Sequence, residues 1–128
     1  MKKLLLCIFA VAGVVSLMSC QETMEEKAAR QAKEYTERYC PTPVVNYSRT
    51  DSIVFDRERK VYIYYISFCD ALDDPDIIDQ NRDKITDMLT QSVREATGLK
   101  NFVDAGFRFE YVCHSAKQPK KVLFKITI

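Results

Sequence analysis

An α+β fold is expected: helix, strand, strand, helix, strand, strand, closing a four-stranded, mainly antiparallel sheet with helices packed on one face. Three observations predict it. Gln21 to Tyr39 carries apolar residues at spacings of three to four, the period of a helix buried along one stripe. Val61 to Cys69 is apolar at nearly every position, as a strand covered on both faces should be. Phe107 to Cys113 and Val122 to Ile128 alternate apolar with polar residues, the pattern of a half-exposed hairpin.

In the first helix the stripe is Met24, Ala28, Ala32, Tyr35 and Tyr39, and Glu26 with Arg30 and Glu34 with Arg38 stand four apart, where opposite charges support a helix. Pro41 ends it, because proline lacks an N–H and restrains its predecessor, Cys40. Pro41 to Ser52 reads as loop, with Val44 and Val45 its apolar pair, and Ile53 to Phe55 as a short strand. The long strand then presents Val61, Ile63, Tyr65 and Cys69 to one side and Tyr62, Tyr64, Ile66 and Phe68 to the other. Asp74-Pro75 suits a helix entrance, an N-cap followed by proline in the first turn. That second helix should run to about Thr97, with Gly98 as its C-terminal cap.

The chain begins Met1-Lys2-Lys3, then runs from Leu4 to Leu17 without a charge. This is the order of a secretory signal, and its apolar core falls short of the roughly 20 residues of a membrane span. Leu17-Met18-Ser19-Cys20 resembles the lipobox of bacterial lipoproteins. The resemblance implies a signal peptide over residues 1–19 that is removed, and a Cys20 that carries the lipid and opens the mature chain. Two or three acyl chains hold a protein to a bilayer where one binds only reversibly. Gln21 after the cysteine, rather than Asp, resembles lipoproteins sorted to the outer membrane; Gln21-Glu22 and Glu25-Glu26 faintly resemble tags for surface export, so the membrane face stays open. The expected organisation is 1–19 leader, 20–43 lipidated N-terminus and tethering helix, 44–128 α+β domain. Cys40-Pro41, Thr50-Asp51-Ser52, Tyr62, Tyr64 and the closing segment Gly106 to Ile128 together resemble a group of small uncharacterised bacterial envelope lipoproteins, which supplies no activity.

Removing the leader with Lys2 and Lys3 takes the 19 basic residues to 17 against 18 acidic, a net charge near −1. No nucleic-acid partner is expected from such a balance. Of five cysteines, Cys7 and Cys20 belong to the leader and anchor, leaving Cys40, Cys69 and Cys113. If the second and third strands are neighbours they run parallel, so Cys69 and Cys113 share an end of the sheet and are the favoured disulfide pair. Three free thiols, each a small apolar side chain, are the alternative.

No catalytic residue, metal or cofactor is expected. His114 is the single histidine, and Cys113 beside it would face the other way in a strand. Asp70, Asp73, Asp74, Asp76 and Asp79 could offer oxygens to calcium, but the glycine of an EF-hand loop is missing and carboxylates also suit a helix entrance. Asp51-Ser52-Ile53 resembles a short bacterial O-glycosylation signal. The remaining candidate is a binding patch of Tyr62, Tyr64 and Phe68, which requires that row to face outward; burial beneath the helices is the favoured competing arrangement. These features imply a non-enzymatic membrane-anchored envelope module that binds an unknown envelope protein or supports an assembly, with a small-ligand carrier or inhibitor-like binding domain as the alternative.

Overall fold

The computed structural model describes residues 21–128; the expected leader and Cys20, the expected site of lipid attachment, lie outside the described residues. Four strands form one sheet in the order β1-β2-β3-β4: β1 Ser48–Asp56, β2 Val61–Phe68, β3 Arg108–Ser115 and β4 Val122–Thr127. The β1/β2 and β3/β4 pairs are antiparallel, and the helical crossover makes β2 and β3 parallel, as the connection requires. The expected α+β architecture is therefore the observed one.

Helix α1, Met24–Tyr39, begins with a capping box: the Thr23 hydroxyl accepts the Glu26 N–H, and the Glu26 carboxylate accepts the Thr23 N–H. Two orphan donors of the first turn are thereby satisfied. Ala28 and Ala32 are buried at 0% and 2% exposure, and their small side chains let α1 close down on β1. Thr36 bonds β1 twice, donating to the Ile53 carbonyl at 2.9 Å and accepting the Ile53 N–H at 2.8 Å. This helix is thus part of the core rather than a tether ahead of it, and the folded unit starts near Thr23 instead of residue 44. Tyr35 and Tyr39, expected on the buried stripe, are exposed and rest on each other, 5.1 Å between ring centroids.

The second expected helix is two helices, α2 Pro75–Gln80 and α3 Arg82–Glu95. Asn81 parts them: its side-chain amide donates to the Ile77 carbonyl and its backbone N–H to Ile77 and Ile78, competing with the helical ladder as asparagine does. Asp74 caps α2 by accepting the Asp76 N–H, with Pro75 in the first turn. The chain after α3 makes a 3-10 turn over Thr97–Leu99, which contains Gly98, and a short helix α4, Lys100–Asp104. Gly106 then turns the chain into β3 with φ +82°, a left-handed conformation that glycine adopts without penalty.

All these helices share one sheet face. Ile53 and Phe55, Tyr62, Ile66 and Phe68, Phe109, Tyr111, Cys113 and Phe124 converge there with Ile78, Val93 and Phe102 from the helices. The register places Val54, Ile63, Tyr65, Ser67, Glu110, Val112, His114 and Lys125 on the opposite face. At one end of the sheet the β1–β2 turn meets the start of α1, where the Lys60 ammonium lies 3.7 Å from Glu25. The entry to β1 and the exit of β2 form the other end.

Candidate functional site

At that second end a groove of about 620 Å³ opens between α3 and the loop entering β1. Phe68, Leu72, Ile85 and Leu89 line it, and Val45, Tyr47, Ile77 and Met88 stand around it, exposed by 64%, 54%, 37% and 55%. Such a concentration of exposed apolar side chains is uncommon on a surface with no binding role. Lys84 also lines the groove and, among the described residues, belongs to no ion pair.

Sequence and local geometry explain why Tyr47 stands out. Val45 and Ser48 bridge each other, with 2.9 and 3.1 Å backbone bonds, around Asn46 and Tyr47 at φ 51° and 63°. Two consecutive positive φ values define the tight mirror-image turn of a hairpin. Asparagine tolerates this conformation, whereas a tyrosine there is strained. The Cys69 N–H, bonded to the Tyr47 carbonyl at 2.8 Å, fastens the turn to the end of β2.

The residues expected from sequence lie elsewhere. Tyr62 and Phe68 are each 4% exposed and Tyr64 is half-buried, so the row forms no open patch. The helices lie on its side of the sheet; Phe68 alone contributes, as part of the groove lining. Tyr64 stacks on Tyr111 with centroids 4.7 Å apart and planes 12° from parallel. Burial pushes the Tyr62 and Tyr111 hydroxyls up to about 12, and burial with the neighbouring Tyr111 raises Tyr64 further.

Cys40, Cys69 and Cys113 are free thiols, and the favoured Cys69–Cys113 bridge is not formed. Both do lie towards one end of the sheet. Cys113 pairs with Ile66, however, three residues before Cys69, and the odd offset turns the two side chains to opposite faces. Burial raises the Cys113 thiol to about 12, which leaves it protonated and unreactive.

On the helix-free face, Ser67, buried at 5%, donates its hydroxyl proton to Asp51, and Arg49 bonds both, at 2.8 Å to Asp51 and 3.2 Å to Ser67. His114 is opposite Ser67 in the register and stacks on Tyr65 at 6.2 Å. Its buried Nδ1 has no partner among the described residues. The serine is therefore held by a carboxylate and not by the imidazole. Asp51, the first residue of the O-glycosylation-like triplet, is occupied by this network. Three of the five aspartates from Asp70 to Asp79 are likewise engaged: Asp74 caps α2, Asp79 pairs with Arg82 at 2.8 Å, and Asp73 accepts the Lys117 N–H at 3.0 Å. Among the described residues no cluster of three or more His, Cys, Asp or Glu could hold a metal.

Sequence reasoning missed the groove. Its signal was an apolar pair, Val44-Val45, and a tyrosine in a segment otherwise read as loop; Ile77 and Met88 lay on helices without any mark distinguishing them from core residues.

The fold is a small α+β domain that solved structures share. It resembles a candidate secreted protein from Pseudomonas aeruginosa, with 12% identity, a TM-score of 0.63 and coverage of 84% of this chain and 95% of that one. It also resembles EpsS, the pilotin of the Vibrio vulnificus type 2 secretion system, with 12% identity, a TM-score of 0.55 and coverage of 81% and 86%. At such identities the likeness is one of fold. Residues 23–124 match a domain of unknown function, DUF8479, and the chain belongs to that family. No curated protein matches it in sequence.

Proposed function

We propose that this protein is a lipid-anchored envelope lipoprotein, attached through Cys20 and without enzymatic activity, whose groove holds an apolar segment of a partner protein. The groove with its strained Tyr47 turn carries the reading: four exposed apolar side chains around one concavity, one of them kept outward at a conformational cost. Lys84 in the lining suits a segment that brings a carboxylate with its apolar side chains. The pilotin likeness supports a role in supporting an envelope assembly.

The position of the groove favours a protein over a membrane lipid. Cys20 precedes Thr23 by three residues, a reach of about 10 Å, and α1 starts beside the β1–β2 turn. The groove is at the far end of β2, whose 8 residues span about 26 Å at the strand rise. An anchored molecule therefore holds its groove away from the acyl chains. A small apolar ligand is the second reading, since the volume of about 620 Å³ falls in the range of ligand pockets.

A photo-crosslinking residue in place of Met88 in intact cells should yield a covalent adduct with one protein, and Met88→Asp should abolish the corresponding complex without changing the melting temperature. An adduct with a small molecule or lipid alone would select the second reading. Retention of the complex by Met88→Asp would remove the groove from the function. For the anchor, Cys20→Ala should give an unacylated chain, and acylation of that variant would exclude Cys20.

A further inference from the structure

The two edges of the sheet are treated differently. On β1 the outward backbone is occupied: Thr36 takes both polar groups of Ile53, while Thr42 accepts the Thr50 N–H through its hydroxyl at 2.9 Å and donates its own N–H to the Thr50 carbonyl at 3.0 Å. Such plugging is how sheets avoid unwanted strand addition. Among the described residues, no hydroxyl or loop caps the backbone of the β4 edge in this way. Phe109 and Ile128 exchange two backbone bonds, at 3.1 and 2.7 Å, which sets the alternation along β4. Ile128, Ile126 and Phe124 turn their peptide groups towards β3, and Lys125 and Thr127 turn theirs away from it. Among the described residues, no backbone bond outside the sheet ladder involves Lys125 or Thr127.

The side chains beside this edge have a sign and a period. From Lys120 to Ile128 there are three lysines and no acidic residue. Lys125 lies on the helix-free face with Glu110 as its partner at 3.6 Å, and Phe124 and Ile126 lie on the apolar face. A strand laid against β4 would meet Lys125 and Thr127 on one side and the half-buried Ile126 on the other, at the same period of two, with Lys120 and Lys121 at the entry to the strand.

We propose that the outer edge of β4 is a strand-addition site for an extended segment of a partner protein in which acidic and apolar residues alternate. Main-chain bonds to Lys125 and Thr127 would supply attachment and the lysines would select the acidic register. This site is separate from the groove and does not depend on it.

The test is amide hydrogen exchange on the full chain in detergent micelles, with a capped eight-residue peptide of alternating glutamate and valine as the probe. The Lys125 and Thr127 amides should exchange rapidly alone and slow by at least about tenfold with the peptide, while the Ile53 amide stays unchanged. Alternate N–H groups of a strand point the same way, so N-methylating only the glutamates or only the valines should abolish protection in one case and spare it in the other. Loss with both, or with neither, would overturn strand addition. The proposal also fails if the two amides are already slow without peptide, if their protection follows protein concentration alone, as it would for a second copy, or if a lysine and valine peptide protects equally.

Discussion

The two faces of β2 and β3 are made from the same sixteen residues yet solve opposite problems. On the helix side Tyr62, Phe109, Tyr111 and Cys113 meet Phe102 and Ile78, and stability comes from apolar contact. On the other side the same strands offer Ser67 and Glu110, whose neighbours are charged: Asp51 and Arg49 around Ser67, Arg59 at 3.7 Å and Lys125 at 3.6 Å from Glu110. Phe109 beside Glu110, and Cys113 beside His114, show the change within one residue. Burial alone does not distinguish the faces, because Glu110 at 6% is about as hidden as Tyr111 at 6%; what differs is whether the partners are carbon or charge.

Four measurements would break or sharpen that contrast. Phe102→Ala removes a ring that is 1% exposed and should cost about 3–5 kcal/mol in urea unfolding; a cost under about 1 kcal/mol would mean that the helix side is not the principal core. Next comes an alkaline series. Unfolded Cys113 and the unfolded tyrosines ionise near their ordinary values of 9.0 and 10.0, whereas folded Cys113, Tyr62 and Tyr111 hold their protons to about 12. Their contribution is complete below pH 9 and is lost as pH rises towards 12. Unchanged stability from pH 9 to 11 would contradict a dry helix side.

A smaller effect is expected for Glu110→Gln, about 1 kcal/mol, because Arg59 and Lys125 are more than half exposed and water can take over their solvation. A cost as large as that of Phe102→Ala would place the second face on an equal footing. The smallest concerns Asp73, half-buried between the α2 entrance and the β3–β4 turn. The Ser115 hydroxyl, then the Lys117 N–H, hold its carboxyl below the ordinary 3.8. Its contribution is present above that value and disappears as pH falls through the lower folded one. Asp73→Asn should flatten the acid limb of the melting-temperature profile, and an unaltered limb would show that this carboxylate does not tie the turn down.

Much of the fold was legible because burial repeats at the period of the backbone. The double-sided apolarity of Val61 to Phe68 marked the central strand, and Phe107 to Cys113 with Val122 to Ile128 marked the hairpin. The break at Asn81 was harder, since a side chain that bonds its own helix leaves the apolar spacing intact. The Tyr62, Tyr64 and Phe68 row could be recognised as one face, with burial the favoured arrangement, but an outward patch stayed open because the side depends on where the helices land. The groove was the least legible part: Val45 and Tyr47 come from a turn, Phe68 from a strand end, and Ile77 and Met88 from two helices.

By itself the sequence determined the element order, the central strand and the resemblance to a lipid-anchored class, because periodicity, proline and glycine positions, and the run ending in Cys20 are all local along the chain. Only the tertiary structure decided that α1 closes the core, that Cys69 and Cys113 turn to opposite faces, that Ser67 is held by Asp51 rather than His114, and that one end of the sheet opens into an apolar groove. Those outcomes depend on register and on which face receives the helices, and a shift of one residue in a strand reverses the side to which every side chain points.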